Sequence, residues 1–232
     1  MLLIGCQQQN PVVTDAKASA GVAMKASAEN PVVVELYQSQ GCSSCPPANA
    51  ALNAIADRPD VIALSFAVTY WDRLGWKDIF ADKAYTQRQY DYAGAFRNPN
   101  VYTPQIVING ARAITGIKQG ELARAVADSS PPTRGPKVTS EGAKISIGAG
   151  EGSADIWLVR YDPRIINVGI RAGENNGRTL PHKNIVRSLT RLGTWHGKDV
   201  SFTLPKAGQA GWKSVILVQR ESAGPIISAK KI

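Results

Sequence analysis

Two of the three cysteines in this 232-residue chain stand in Gly41-Cys42-Ser43-Ser44-Cys45-Pro46-Pro47. Two thiols at this spacing can bind a soft metal, close a static disulfide, or exchange disulfides with a partner. Their setting favours exchange. The apolar run from Val32 to Tyr37 reads as a buried strand ending just before the pair. Residues 48–57, Ala-rich with Leu52 and Ile55, read as a helix just after it. Cys42 then lies at a helix N-terminus, where free N–H groups and the macrodipole favour thiolate over thiol. The thiolate is the nucleophile of exchange, and Cys45 is near enough to close the ring. Pro46 and Pro47 suit a first helical turn, but each removes an N–H that could face the thiolate. Ser43 and Ser44 add hydroxyl and backbone donors without charge. A modestly activated thiol is expected.

Zinc would need two further ligands. The chain offers Cys6, His182 and His196 and no second cysteine pair, so no resident metal or other cofactor is expected. A static disulfide would close a very short loop, which adds little stability on the chain-entropy argument. Two alternatives to exchange stay open: a non-enzymatic binding module with a static disulfide, and copper handling, since soft thiolates suit Cu(I).

The surrounding pattern must position the pair. Val61 to Val68 reads as a second strand, and residues 82–96 as a helix within a long insert, 70–100. Residues 70–102 hold nine of the sixteen aromatics, which either pack as local core or line a groove. Asp72 and Arg73 between its tryptophans read as a pair or a cap. Residues 105–109 and 111–115 read as a hairpin turned by Asn109-Gly110, a type I′ signal. Residues 120–127 close the unit as a helix. Ser129-Ser130-Pro131-Pro132 with Thr133-Arg134-Gly135-Pro136 reads as a linker. Beyond it, short alternating runs at 144–147, 154–160, 166–170, 184–192, 200–204 and 214–219 read as a small antiparallel sandwich. The expected organisation is a tail over 1–30, an α/β unit over 31–130 and an all-β unit over 131–232. Glu35 is the one charge in the first strand. A buried carboxylate there could carry the Cys45 proton. It could equally sit at an edge or pair with Arg112 or Lys118. His182, with Arg178 and Lys183 in a Gly/Asn-rich stretch, reads as an exposed loop histidine or an anion or metal contact.

The net charge of +9 arises wholly in residues 131–232, where sixteen Lys and Arg face seven Asp and Glu. This excess suits a solvated surface or attraction to an anionic membrane or cell-wall polymer. No basic helix and no Lys/Arg cluster interleaved with aromatics is present, so nucleic acid is not an expected partner. No apolar run is long enough for a transmembrane helix.

The order strand, Cys-x-x-Cys, helix, strand, Thr-Pro, hairpin, helix resembles the thioredoxin-like proteins over residues 31–130. The expected fold class is therefore an α/β thioredoxin-like domain with a helical insert, followed by a small sandwich-like all-β domain. The resemblance implies that Pro104 is cis, packs beside Cys42 and Cys45, and lets Thr103 present a substrate strand. It also likens Glu35 to a buried acid behind the cysteines, though seven residues before the first of them instead of six. More closely, 34–47, 70–78 and 173–182 resemble a family of secreted bacterial proteins of unknown function with a thioredoxin-like fold. Leu3-Ile4-Gly5-Cys6 resembles a bacterial lipoprotein cleavage site, which would lipidate Cys6, though only five residues precede it. Together these imply a periplasmic or secreted thiol–disulfide oxidoreductase acting on a protein or small thiol. In this reading Cys42 attacks, Cys45 resolves, Thr103 and Pro104 present substrate and Glu35 moves a proton. Cys42 is then expected to be more accessible than Cys45.

Overall fold

The computed structural model describes residues 25–206 and 208–232. Cys6 and most of the expected 1–30 tail lie outside the described residues. Strand β1 (Val32–Gln38) is buried at every position. It pairs in parallel with β2 (Val61–Ala67) and antiparallel with β3 (Gln105–Ile108), so it has neighbours on both sides. Strand alternation sends Val32, Val34 and Leu36 to one face and Val33 and Tyr37 to the other. The first face packs against α1 (Pro46–Ile55) and α3 (Glu121–Ala127) through Ala48, Leu52 and Leu122. The second packs against α2 (Lys83–Ala95) through Tyr85 and Tyr92. Asp82 caps α2 by accepting from the Ala84 N–H at 2.7 Å. Phe80, Tyr85 and Tyr92 of the insert are buried as core: Tyr85 meets Phe66 edge-on, and Tyr92 stacks on Phe96.

The β3 hairpin returns as β4 (Arg112–Ile114). Asn109 and Gly110 both have positive φ, 50° and 64°, as a type I′ turn requires. A Cβ on Gly110 would stand 2.9 Å from the Gly224 carbonyl oxygen, so the turn also needs glycine for close approach.

The second half supplies β5 (Val138–Glu141), β6 (Lys144–Ile147), β7 (Ala154–Asp162), β8 (Ile166–Gly169), β9 (Thr179–His182), β10 (Ile185–Trp195), β11 (Val200–Thr203), β12 (Lys213–Gln219) and β13 (Ile226–Lys231). These strands correct the expected fold class. Among the described residues, no separate sandwich follows a free-standing thioredoxin-like unit. Instead β13, β12, β7 and β10 continue the first sheet, giving one eight-stranded mixed sheet in the order β13-β12-β7-β10-β2-β1-β3-β4. The join is β10 lying parallel to β2, with Ile185 beside Ser65. There the Ser65 N–H donates to the Asn184 carbonyl at 2.9 Å, and the Asn184 side chain donates to the Ala63 carbonyl. Alternation along a strand marks which residues share a face, but does not say which distant strand becomes its neighbour.

The face carrying α1 is covered further along by the β8–β9 hairpin, through Val168, Ile170 and Leu180. Beyond that, the three-stranded sheet β11-β6-β5 packs Ile145 and Ile147 against Ile156, Leu158 and Ile216. The hairpin therefore lies next to α1, and this brings residues from the second half of the chain to the cysteines.

Candidate functional site

The chain leaves β1 at Gln38 and reaches the cysteines through Ser39, Gln40 and Gly41, all buried. Cys42 and Cys45 form a disulfide with a Cα–Cα distance of 5.4 Å. Cys45 occupies the N-cap of α1, and Pro46 and Pro47 open the helix. No side chain caps the helix start, Pro46 and Pro47 carry no N–H at its first two positions, and the Cys45 N–H donates to the Cys42 carbonyl at 3.2 Å. Ser44 Oγ lies 3.4 Å from Cys42 Sγ, and it donates to the Thr103 carbonyl at 3.4 Å. The Thr103–Pro104 peptide is cis, and Pro104 is buried. Trp71 Nε1–H donates to Thr103 Oγ1 at 2.8 Å. The structure thus brings Cys42, Cys45 and Thr103 together, with Pro104 adjoining in sequence.

Glu35 is not among them. Register places it with Val33 and Tyr37, on the α2 face, across the sheet from α1. Its carboxylate accepts from Arg88 Nε at 2.8 Å and from the Tyr92 hydroxyl. Tyr92 in turn accepts from Gln219 Nε2 at 3.0 Å and from Arg88 Nη2 at 3.2 Å. The ion-pair partner is Arg88 and neither Arg112 nor Lys118, the two cations weighed as partners in one of the alternatives left open by the sequence. Burial raises the Tyr92 hydroxyl well above its ordinary range, so the phenol stays protonated as a donor.

The expectation of an approachable Cys42 is also corrected. Cys42 and Cys45 are both 0% exposed, although Ser43 and Ser44 between them are exposed. Two stretches far away in sequence bond the loop that carries the pair. In the first, Trp76 Nε1–H donates to Gln40 Oε1 at 2.8 Å, and buried Asp78 accepts the Gln40 N–H at 2.8 Å. Asp78 also accepts the Phe80 N–H at 2.8 Å. Burial pushes its carboxyl up to about 6, against these two hydrogen bonds. Asp72 accepts the Asp78 N–H and so braces the same loop. In the second, buried Asn175 donates to the carbonyls of Gln40 and Cys42, and Glu174 accepts from Ser43.

His182 lies in β9 and is fully buried, where an exposed loop was expected. Among the described residues neither ring nitrogen has a hydrogen-bond partner, and burial pushes its pKa down to about 4. The ring meets Phe80 edge-on at 5.7 Å, so it is a neutral wall of the hairpin core. Glu174, Asn175 and Asp78 were missed as site residues. Their sequence signal lay in the 70–78 and 173–182 stretches, which converge on residues 40–43.

Residues 33–219 match the family described as "Protein of unknown function (DUF1223)". The chain belongs to this family. The crystal structure of protein AGR_C_4864 from Agrobacterium tumefaciens is similar at 30% identity and a TM-score of 0.73, covering 90% of this chain and 96% of that one. A structure of HBP35 of Porphyromonas gingivalis shares the fold at 14% identity and a TM-score of 0.54, covering 90% of this chain and 76% of that one. No curated protein matches the chain. The DUF1223 match spans both the cysteine pair and the 173–178 segment lying against it.

Proposed function

We propose that this DUF1223 protein carries out thiol–disulfide exchange through the Cys42–Cys45 couple, on a protein or a small thiol. One observation carries the reading: the disulfide stands at the start of α1 with a hydroxyl, Ser44 Oγ, between Cys42 Sγ and the Thr103 carbonyl. The α1 dipole favours a thiolate at Cys42 once the bond is reduced, while Pro46 and Pro47 withhold two N–H groups that would strengthen the effect. The Ser44 hydroxyl, 3.4 Å from both Cys42 Sγ and the Thr103 carbonyl oxygen, can turn its one proton from that carbonyl to the thiolate. The backbone on either side of Thr103 gives an extended substrate a place to lie, as in thioredoxin-like proteins. In the reduced protein, the Cys42 thiolate attacks a substrate disulfide, forms a mixed disulfide and releases one substrate thiolate. Cys45 then attacks Cys42 Sγ, re-forms the internal disulfide and releases the second substrate thiol. The substrate is reduced and the protein oxidised; the reverse steps oxidise a dithiol.

The burial of both cysteines favours a second reading, a binding module whose disulfide is static. Two variants separate the readings. Cys42→Ser is expected to abolish exchange with a model disulfide substrate. Cys45→Ser is expected to accumulate mixed disulfides, seen as partner adducts by non-reducing mass spectrometry. Wild-type protein that transfers no disulfide, together with Cys45→Ser protein that traps no partner, would leave the static reading in place.

A further inference from the structure

The polypeptide that lies against Cys42 arrives from 131 residues further along the chain. Asn175 is 0% exposed, and its Nδ2 donates to the Gln40 carbonyl at 2.9 Å and to the Cys42 carbonyl at 2.8 Å. Its Oδ1 accepts from Arg178 Nη1 at 2.7 Å, which turns the amide so that both its protons face the cysteine loop. Beside it, Glu174 Oε2 accepts the Ser43 N–H at 3.1 Å and the Ser43 hydroxyl at 2.6 Å. The segment is pinned at its base, where Gly177 N–H donates to the Ile170 carbonyl and Ile170 N–H to the Arg178 carbonyl. Gly173 and Gly177 adopt φ of 73° and 82°, so the strap turns sharply at each end. It joins β8 to β9 and meets the cysteine loop at Gln40, Cys42 and Ser43, with Glu174 exposed and Asn175 inserted.

We infer that residues 173–178 form a gate that seals the Cys42–Cys45 disulfide, with Glu174 as its latch on Ser43 and Asn175 as its bolt. This builds on the exchange reading and explains how a fully buried pair could still react: chemistry occurs in the minority of molecules whose strap has lifted. The latch is the weak side, since both its bonds are made at an exposed carboxylate. Hydrogen bonds from Ser43 hold that carboxyl below its ordinary value, so the latch stays charged at neutral pH. A substrate that accepts hydrogen bonds from Ser43, such as a backbone carbonyl, competes with Glu174 for the same donors. The bolt is stronger, because its removal leaves two carbonyls of a buried loop without their donor.

The test is the rate at which dithiothreitol in excess reduces the disulfide of the full chain, read by alkylation and mass. Glu174→Ala is expected to raise the rate about fivefold, and Asn175→Ala at least tenfold. Both increases should persist in high salt, which screens the lost charge and leaves the mechanical effect. Hydrogen exchange at the Ser43 amide should quicken in Glu174→Ala by a similar factor. Should Asn175→Ala fail to fold, Glu174→Ala, altered at an exposed side chain, decides the matter. Unchanged reduction and unchanged Ser43 exchange in Glu174→Ala would overturn the gate. Faster reduction in a protein that transfers no disulfide would uphold the gate and remove the exchange reading, so the two failures are distinguishable.

Discussion

Arg88→Met is expected to cost the fold about 3–5 kcal/mol, because it strips the counter-ion from a carboxylate with no access to water. Glu35 is 0% exposed and Arg88 4%. The guanidinium also lies over the rings of Tyr92 and Trp157, at 5.2 and 5.4 Å from their centroids. Loss of the cation leaves Glu35 with the Tyr92 hydroxyl alone among these partners. The carboxyl must then stay charged without a counter-ion or take up a proton, and either raises the energy of the folded state. Urea unfolding at neutral pH measures the cost. A Glu35→Met, Arg88→Met double variant should recover most of it, since two apolar side chains need no partner. The disulfide exchange rate should stay near that of the wild type, because the pair lies across the sheet from α1. A cost below about 1 kcal/mol would mean that water reaches the pair.

The second large effect is a pair of opposed pH dependences near the site. The imidazole of His182 titrates at about 4 in the folded chain, against an ordinary 6.5, through burial. Between those values the unfolded chain holds the extra proton, so His182 makes stability fall as pH falls. Asp78 does the reverse. Its carboxyl is raised from 3.8 to about 6, chiefly by burial, so between those values the folded chain holds the extra proton. Stability from Asp78 therefore rises as pH falls, and is lost again as pH climbs toward 6. Each contribution is worth about 3 kcal/mol over its window, and in the wild type they largely cancel. Measured against wild type between pH 7 and pH 4, Asp78→Asn should lose about 3 kcal/mol and His182→Phe should gain about as much. Carboxylates held low by hydrogen bonds to cations, such as Asp57, Asp60 and Asp162, act alike in all three proteins and drop out of the comparison. Parallel pH curves for the three would show that neither group is buried as described.

Much of the local structure was legible in the residues. The valines before Cys42, the Ala-rich helix after Cys45 and the Asn109-Gly110 turn each announce themselves by periodicity or by a backbone conformation few residues adopt. What lay beyond reach depended on contacts between distant segments. Alternation puts Glu35 on the same side as Tyr37, but only the packing of α2 shows that this side lies opposite α1. The expected sandwich strands mostly exist, yet Ile185 chooses Ser65 of β2 as its neighbour, and one sheet replaces two domains. His182 sits among Gly and Asn and reads as loop, although Leu180 and His182 are buried in alternation with exposed Thr179 and Pro181. The burial of Cys42 was the least legible feature. The Cys42 carbonyl accepts from Asn175, and nothing near residue 42 calls for that partner.

The central claim is that the Cys42–Cys45 disulfide is an exchanging couple and not a static tie. Its reduction potential tests this most directly, measured on the full chain by equilibration in glutathione buffers, acid quench and alkylation, with equilibration times long enough for the gated wild type. An exchanging couple predicts a value between about −270 and −120 mV, the range in which dithiol exchange proteins work. A value below about −300 mV, where structural disulfides lie, would contradict it.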